Sequence, residues 1–224
     1  MARDTILFDI NETVLDLASL QPRFEAVFGD GSITARWFAM LLHSSTVSAL
    51  TGVKTGFAEL ASAMLDNLAA RLGRPLTDEQ RTGILSGFAS LPPHPDVAPA
   101  IERLREAGYR AVAFSNSSLE LVTAQIEASG LAPQFDEVVS VEHTGSFKPD
   151  PAVYAYVADR VQRPAGALRL VATHDWDTHG ALSAGLLAGY IDRSGAPYHP
   201  LYMRPDVFAA SMGEVVEQIL AADG

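Results

Sequence analysis

The chain has 224 residues, 48% of them hydrophobic and 19% charged, which suits a folded enzyme built as one large domain or as a core with a subdomain. Its net charge of −11 argues against nucleic acid or an anionic membrane surface as the main partner, and any anionic substrate would have to meet local positive groups. It has no cysteine, which excludes a disulfide framework, a thiolate nucleophile and a Cys-based metal site.

Taken in order, Met1-Ala2-Arg3-Asp4 leads directly into the apolar run Thr5-Ile6-Leu7-Phe8. No signal-peptide or transmembrane pattern is visible there, so a cytoplasmic protein is expected. The run stops at Asp9, as a buried parallel strand does when it delivers a charged group to its C-terminal edge, where open α/β sheets bind ligands. Residues from about 15 to 91 then break any strand–helix alternation. They are rich in Ala, Leu, Phe and Met, with helical patterns clearest over 36–50, 56–72 and 77–88. Leu91-Pro92-Pro93-His94-Pro95 is a stiff turn that ends the stretch.

Alternation resumes beyond that turn. A helix ends near Gly108, and Ala111-Val112-Ala113-Phe114 reads as a short buried strand. Residues 118–129 form an amphipathic helix stopped by Gly130. A short strand over 135–141 is followed by a helix over 150–161, entered through Pro149 and Pro151. A strand over 168–172, a helix over 178–184, a strand over 187–191 and a closing helix over 212–222 complete the chain. The succession implies an α/β fold, a parallel sheet with helices on both faces.

Four stretches could carry chemistry: Phe8-Asp9-Ile10-Asn11-Glu12-Thr13, Ser115-Asn116, Lys148-Pro149-Asp150 and Trp176-Asp177. Each follows a strand-like run or lies in the loop after one. A carboxylate, a hydroxyl, an ammonium and a second carboxylate would thus converge at one sheet edge. A carboxylate can attack carbon or phosphorus and form a covalent intermediate. Read without a family, Asp9 could equally cap a loop, Lys148 be a solvated surface charge and the serines be helix caps.

The order and spacing of these motifs resembles the haloacid dehalogenase (HAD) superfamily, and within it the type II 2-haloacid dehalogenases. The resemblance implies a Rossmann-like core over 1–14 and 93–224 with an all-helical cap inserted after the first strand, over 15–92. It makes Asp9 the nucleophile, with Thr13 supporting its loop and Lys148 keeping it ionised. Ser115 and Asn116 would hold a substrate carboxylate or leaving halide. Tyr154 stands where the family has a tyrosine, as core or site residue, and Asp177 would pair with Lys148 or position water. Trp176 would line the apolar part of the pocket.

Departures from the family are equally informative. Its phosphatases usually carry an Asp two residues after the nucleophile, where this chain has Asn11, and an amide cannot transfer protons at neutral pH. A halide needs no proton to leave. At the usual Mg²⁺-binding Asp stands Thr173, and Asp175 reads as a capping or solvated carboxylate. No metal or other cofactor is therefore expected, Mg²⁺ entering only under a phosphatase reading. The dehalogenase Ser and Asn of the fourth motif are replaced by Ala172 and His174, the latter a candidate polarising or proton-accepting group. The cap arginine, two residues after a Trp, falls on Ala39, with Arg36 and His43 as candidate substitutes.

The expected activity is hydrolysis of a short 2-haloalkanoic acid to a 2-hydroxy acid through an ester on Asp9. The expected partner is a small anionic substrate, with no nucleic acid and no membrane, and with room for a homodimer. Two alternatives stay open. One is a phosphatase or phosphonatase-like hydrolase of the same fold, and the other a weakened enzyme serving as a binding protein.

Overall fold

In the computed structural model, residues 4–223 are described, so the expectation for Met1-Ala2-Arg3 lies outside the described residues. Six strands form one parallel sheet. β1 (Thr5–Phe8) lies inside, between β2 (Arg110–Ser115) and β4 (Leu168–Ala172). β3 (Glu137–Ser140) flanks β2, and β5 (Leu187–Ile191) and β6 (Val207–Ala209) extend the far side. Leu7 faces Val112 on one neighbour and Leu170 on the other. Every residue of β1 and β4 is buried. This is why both read as nearly continuous apolar runs, with Thr5 and Arg169 the polar members.

The connections reverse direction at β1. Those leading to β2 and β3 pass through α5 (Val97–Glu106) and α6 (Leu119–Ala128). Those leading to β4 and β5 pass through α7 (Pro151–Arg160) and α8 (Asp175–Ser183). Right-handed crossovers of opposite direction place these pairs on opposite faces. The closing helix α9 (Met212–Asp223) packs on α5. The crevice at such a reversal is where open α/β sheets bind ligands.

Between β1 and α5 the chain is helical. A 3-10 turn over Leu17–Leu20 leads into α1 (Gln21–Phe28), α2 (Ile33–Thr51), α3 (Phe57–Arg71) and α4 (Asp78–Phe88). The turn and α1 were not separable in the sequence, because eight residues ending at a left-handed Gly29 give barely two helical turns. Trp37 packs against Phe24, Phe38 and Phe88 and donates Nε1–H to Ala61 O at 3.0 Å. This aromatic cluster belongs to one apolar core continuous with the sheet.

Two sequence expectations are corrected. α8 starts at Asp175, not near 178, so Trp176 and Asp177 occupy its first turn, where acidic side chains complement the helix dipole. β6 was unexpected, since three residues after Arg204-Pro205-Asp206 are too few to show a period. Beneath the sheet lies a charge cluster with no sequence signature. Arg169, 1% exposed, forks onto both Asp206 and Asp223 and donates to Ala188 O. Among the described residues no helix is long and apolar enough to cross a membrane.

Candidate active site

The loops after β1, β2, β3 and β4 bring Asp9, Asn116, Lys148 and His174–Asp177 together at one sheet edge. Asp9 N–H still bonds to Val171 O at 3.0 Å, so its backbone is tied to the strand ladder. Its carboxylate is buried and carries three polar partners. Lys148 Nζ lies 3.2 Å from Oδ1, Thr13 Oγ1–H donates to Oδ2 at 2.7 Å, and His174 Nδ1 lies 3.2 Å from Oδ2. Burial alone would raise the carboxyl pKa, but the Lys148 charge, then His174, then Thr13 outweigh it and hold Asp9 well below the carboxylate range.

Lys148 is 1% exposed and uses all three N–H groups, on Asp9 Oδ1, on Asp177 Oδ2 at 2.9 Å and on Phe114 O at 2.9 Å. Burial pulls it toward neutrality, and Asp177 and Asp9 more than offset that, so it stays an ammonium. Asp177 sits behind it, fully buried, and accepts from Tyr154 O–H at 2.6 Å. Burial and then the nearby Asp9 charge push Asp177 upward against the pull of Lys148. Of the two carboxylates sharing this lysine, Asp9 is the stronger acid. A Cβ at Gly180 would stand 2.6 Å from Tyr154 Oη and 2.7 Å from Pro149 Cβ, so glycine allows α8 to approach this group.

His174 is the hub of the other side. Its Nε2 lies 2.8 Å from Glu12 Oε2 and its ring stacks on Trp176 at 5.1 Å. Nδ1 is within ion-pair distance of Asp9 yet lacks the alignment of a hydrogen bond. Burial disfavours the imidazolium, but Asp9 and Glu12 together raise its pKa to about 10. Glu12 was passed over in the sequence, although it lies inside the first motif. No sequence signal singled it out, because its φ of 65 and its pairing with a histidine from a distant loop exist only in the fold.

The cleft above Asp9 is lined by Asn11, Phe38, Leu42, Phe57, Asn116, His174 and Trp176. Asn116 Oδ1 accepts from Lys148 N–H at 2.9 Å, which leaves its NH₂ for the cleft. Asn11 lines the cleft while its amide is held by Gln125 at 3.1 Å and Ser117 Oγ at 3.3 Å. The cleft's volume is about 10 Å³, room for about one water.

Several expected site residues are placed elsewhere. Arg36 is exposed on α2, as are Ala39 and His43, whereas Phe38 and Leu42 face the cleft. With about 3.6 residues per turn, burying Trp37, Phe38 and Leu41 turns position 36 outward. Arg36 is therefore not in the pocket. Ser115 Oγ accepts from Ser117 N–H at 3.1 Å and braces its own turn, and Ser117 is the serine that touches the first motif. Ser118 caps α6. Tyr154 holds Asp177 from behind and does not line the cleft. Asp175 accepts from His199 N–H at 3.1 Å, and Thr173 accepts from Arg193 N–H at 3.4 Å. Among the described residues no group of three or more His, Cys, Asp and Glu could hold a metal ion.

Known proteins of one family and fold resemble this chain. Residues 3–168 match the model of the haloacid dehalogenase-like hydrolases. An (S)-2-haloacid dehalogenase of Pseudomonas putida is 27% identical over 96% of this chain and 97% of its own. A haloacetate dehalogenase of Moraxella sp. (strain B) is 25% identical, over 96% and 97%. The crystal structure of an L-2-haloacid dehalogenase superposes with a TM-score of 0.94 at 25% identity, covering 98% of this chain and 100% of that one. The Xanthobacter autotrophicus enzyme with chloropropionic acid covalently bound has the same fold, with a TM-score of 0.92 at 22% identity over the whole of both chains.

Proposed function

The chain belongs to the haloacid dehalogenase-like hydrolase family, and we propose that it acts within it as a 2-haloacid dehalogenase. It converts a short 2-haloalkanoic acid to a 2-hydroxy acid through an ester on Asp9. The observation that carries this reading is an ionised, buried Asp9 paired with Lys148 while Asn11, with no transferable proton, stands two residues on. That arrangement supplies a nucleophile but no acid for a leaving alcohol, which suits a leaving group that departs as an anion.

In this reading Asp9 attacks Cα from the side opposite the halogen, and the C–halogen electron pair leaves with the halide. Water then adds to the Asp9 carboxyl carbon and expels the hydroxy acid, with net inversion at Cα. Phe38, Leu42, Phe57 and Trp176 shelter the alkyl group, and the Asn116 NH₂ and His174 face the two anionic parts of the substrate. Residues 15–92 act as the cap and must move to admit substrate, because the cleft holds only about one water. His174, linked to Glu12, is the base for the attacking water. Lys148, Asp177 and Tyr154 keep Asp9 charged and aimed. The protein residues supply every group these steps use, so no metal is required.

Single turnover in ¹⁸O-water with excess enzyme tests this. Label in Asp9 and not in the product is expected, with halide release unchanged by exhaustive chelation. Label directly in the product, or activity lost to chelation and restored by Mg²⁺, would refute it.

A further inference from the structure

Two cavities meet at one side chain. The cleft above Asp9 holds about 10 Å³. Beyond His174 lies a second cavity of about 270 Å³, bounded by Glu12, Asp16, His94, Thr173 and Arg193, with exposed Ala18 and Ser194 on its rim. His174 is the one residue lining both. Conversion of a haloacid carboxylate and water to a hydroxy acid carboxylate and halide also yields one proton.

We propose that this proton leaves His174 when the ester forms, not when it is hydrolysed, with Glu12 as the positioning residue for the imidazole. The proposal rests on the reading of Asp9 as the esterified nucleophile.

The argument is electrostatic and geometric. In the resting site the imidazole is sandwiched between two carboxylates, Asp9 at 3.2 Å from Nδ1 and Glu12 at 2.8 Å from Nε2. Each nitrogen lies within ion-pair distance of a carboxylate, so the charged ring fits. Its other neighbours, Phe38 from α2 and Trp176 from α8, are uncharged. Lys148 stands beyond Asp9, and Asp16, His94 and Arg193 lie across the rear cavity. When Asp9 bonds to Cα and halide departs, the Asp9 charge disappears. The ring, 11% exposed, then faces one carboxylate and the Lys148 cation beyond the ester. Burial now favours the neutral form.

Glu12 is the stronger remaining acceptor, so it keeps the proton on Nε2, and Nδ1, on the cleft side, gives up its proton to water that enters as the halide leaves. Nδ1 is left as a bare acceptor beside the Asp9 carboxyl carbon. As water adds there, Nδ1 takes one of its protons and the other ends on the departing alkoxide. The bond from the Asp9 carbon to that oxygen breaks, and the carboxylate and imidazolium are both restored. The base is thus withheld until there is an ester to hydrolyse.

The Asp9→Asn variant mimics the uncharged ester. ¹⁵N-imidazole spectra at pH 8, with His174 assigned by its loss in His174→Gln, should show both nitrogens protonated in the wild type. Asp9→Asn should show a neutral ring with the proton on Nε2. Adding Glu12→Gln should mix the two tautomers, and Glu12→Asp should restore the single one. In stopped flow with (S)-2-chloropropionate and a pH indicator, one proton per site should appear with chloride. A ring still doubly protonated in Asp9→Asn, or a proton that appears with the hydroxy acid, overturns the proposal. If Asp9→Asn fails to fold, the stopped-flow result on wild type decides. Absence of both chloride release and an Asp9 ester would instead refute the dehalogenase reading.

Discussion

Holding His174 charged between Asp9 and Glu12 should leave a signature in stability against pH. Its pKa stands near 10 in the folded protein against 6.5 ordinarily. A group whose folded value is raised stabilises fully below its unfolded value and loses that contribution as pH rises through the folded one. The stabilisation should thus be complete below about pH 6.5 and gone by about pH 10. At ~1.36 kcal/mol per pH unit, that interval caps the contribution at about 5 kcal/mol. The misaligned contact to Asp9 Oδ2 makes a realised value of roughly half that ceiling more reasonable. The assay is urea unfolding of wild type and His174→Gln at intervals from pH 5.5 to 10.5, with the difference between them plotted to cancel other titrating groups. The difference should favour the wild type most at low pH and shrink by up to ~1.4 kcal/mol per unit above pH 7. A difference that stays flat, or grows toward pH 10, would show that the histidine is not held charged in the native state.

Replacing Lys148 by Met keeps the volume but leaves Asp9 and Asp177 buried without their cation, so unfolding experiments should show a loss of about 3–5 kcal/mol. Adding Asp177→Asn should recover part of that loss, and the single variant matching wild type would defeat the reasoning. Arg36→Ala removes an exposed side chain and should leave single-turnover halide release within about twofold. Asn116→Ala removes the NH₂ facing the cleft and should slow halide release by about 10²-fold or more, the scale for one donor to a developing anion; a normal rate would assign that role elsewhere. Arg169→Met removes the buried guanidinium that Asp206 and Asp223 share and should cost about 3–5 kcal/mol of stability with little effect on halide release per folded molecule.

By itself, the sequence determined five of the sheet's six strands and the position of Asp9 at its edge. The runs 5–8, 168–172 and 187–191 coincide with β1, β4 and β5, because strands buried on both faces are near-continuously apolar. Asp9 was legible because a charged residue that ends a buried strand points to the ligand-binding edge, and Lys148 was legible through the match of Lys148-Pro149-Asp150 to the family's third motif. Helical register and long-range pairing were not legible. Whether position 36 or 38 of α2 faces Asp9 depends on which side of the helix buries Trp37, a choice made by Phe24 and Phe88 from other helices. The Glu12–His174 pair joins residues 162 positions apart, and Ser117 replaces Ser115 beside Asn11 only through the turn that follows β2. Local pattern records which residues avoid water. Which polar groups then meet is decided by packing, since a buried charge is tolerable only where the fold supplies its partner.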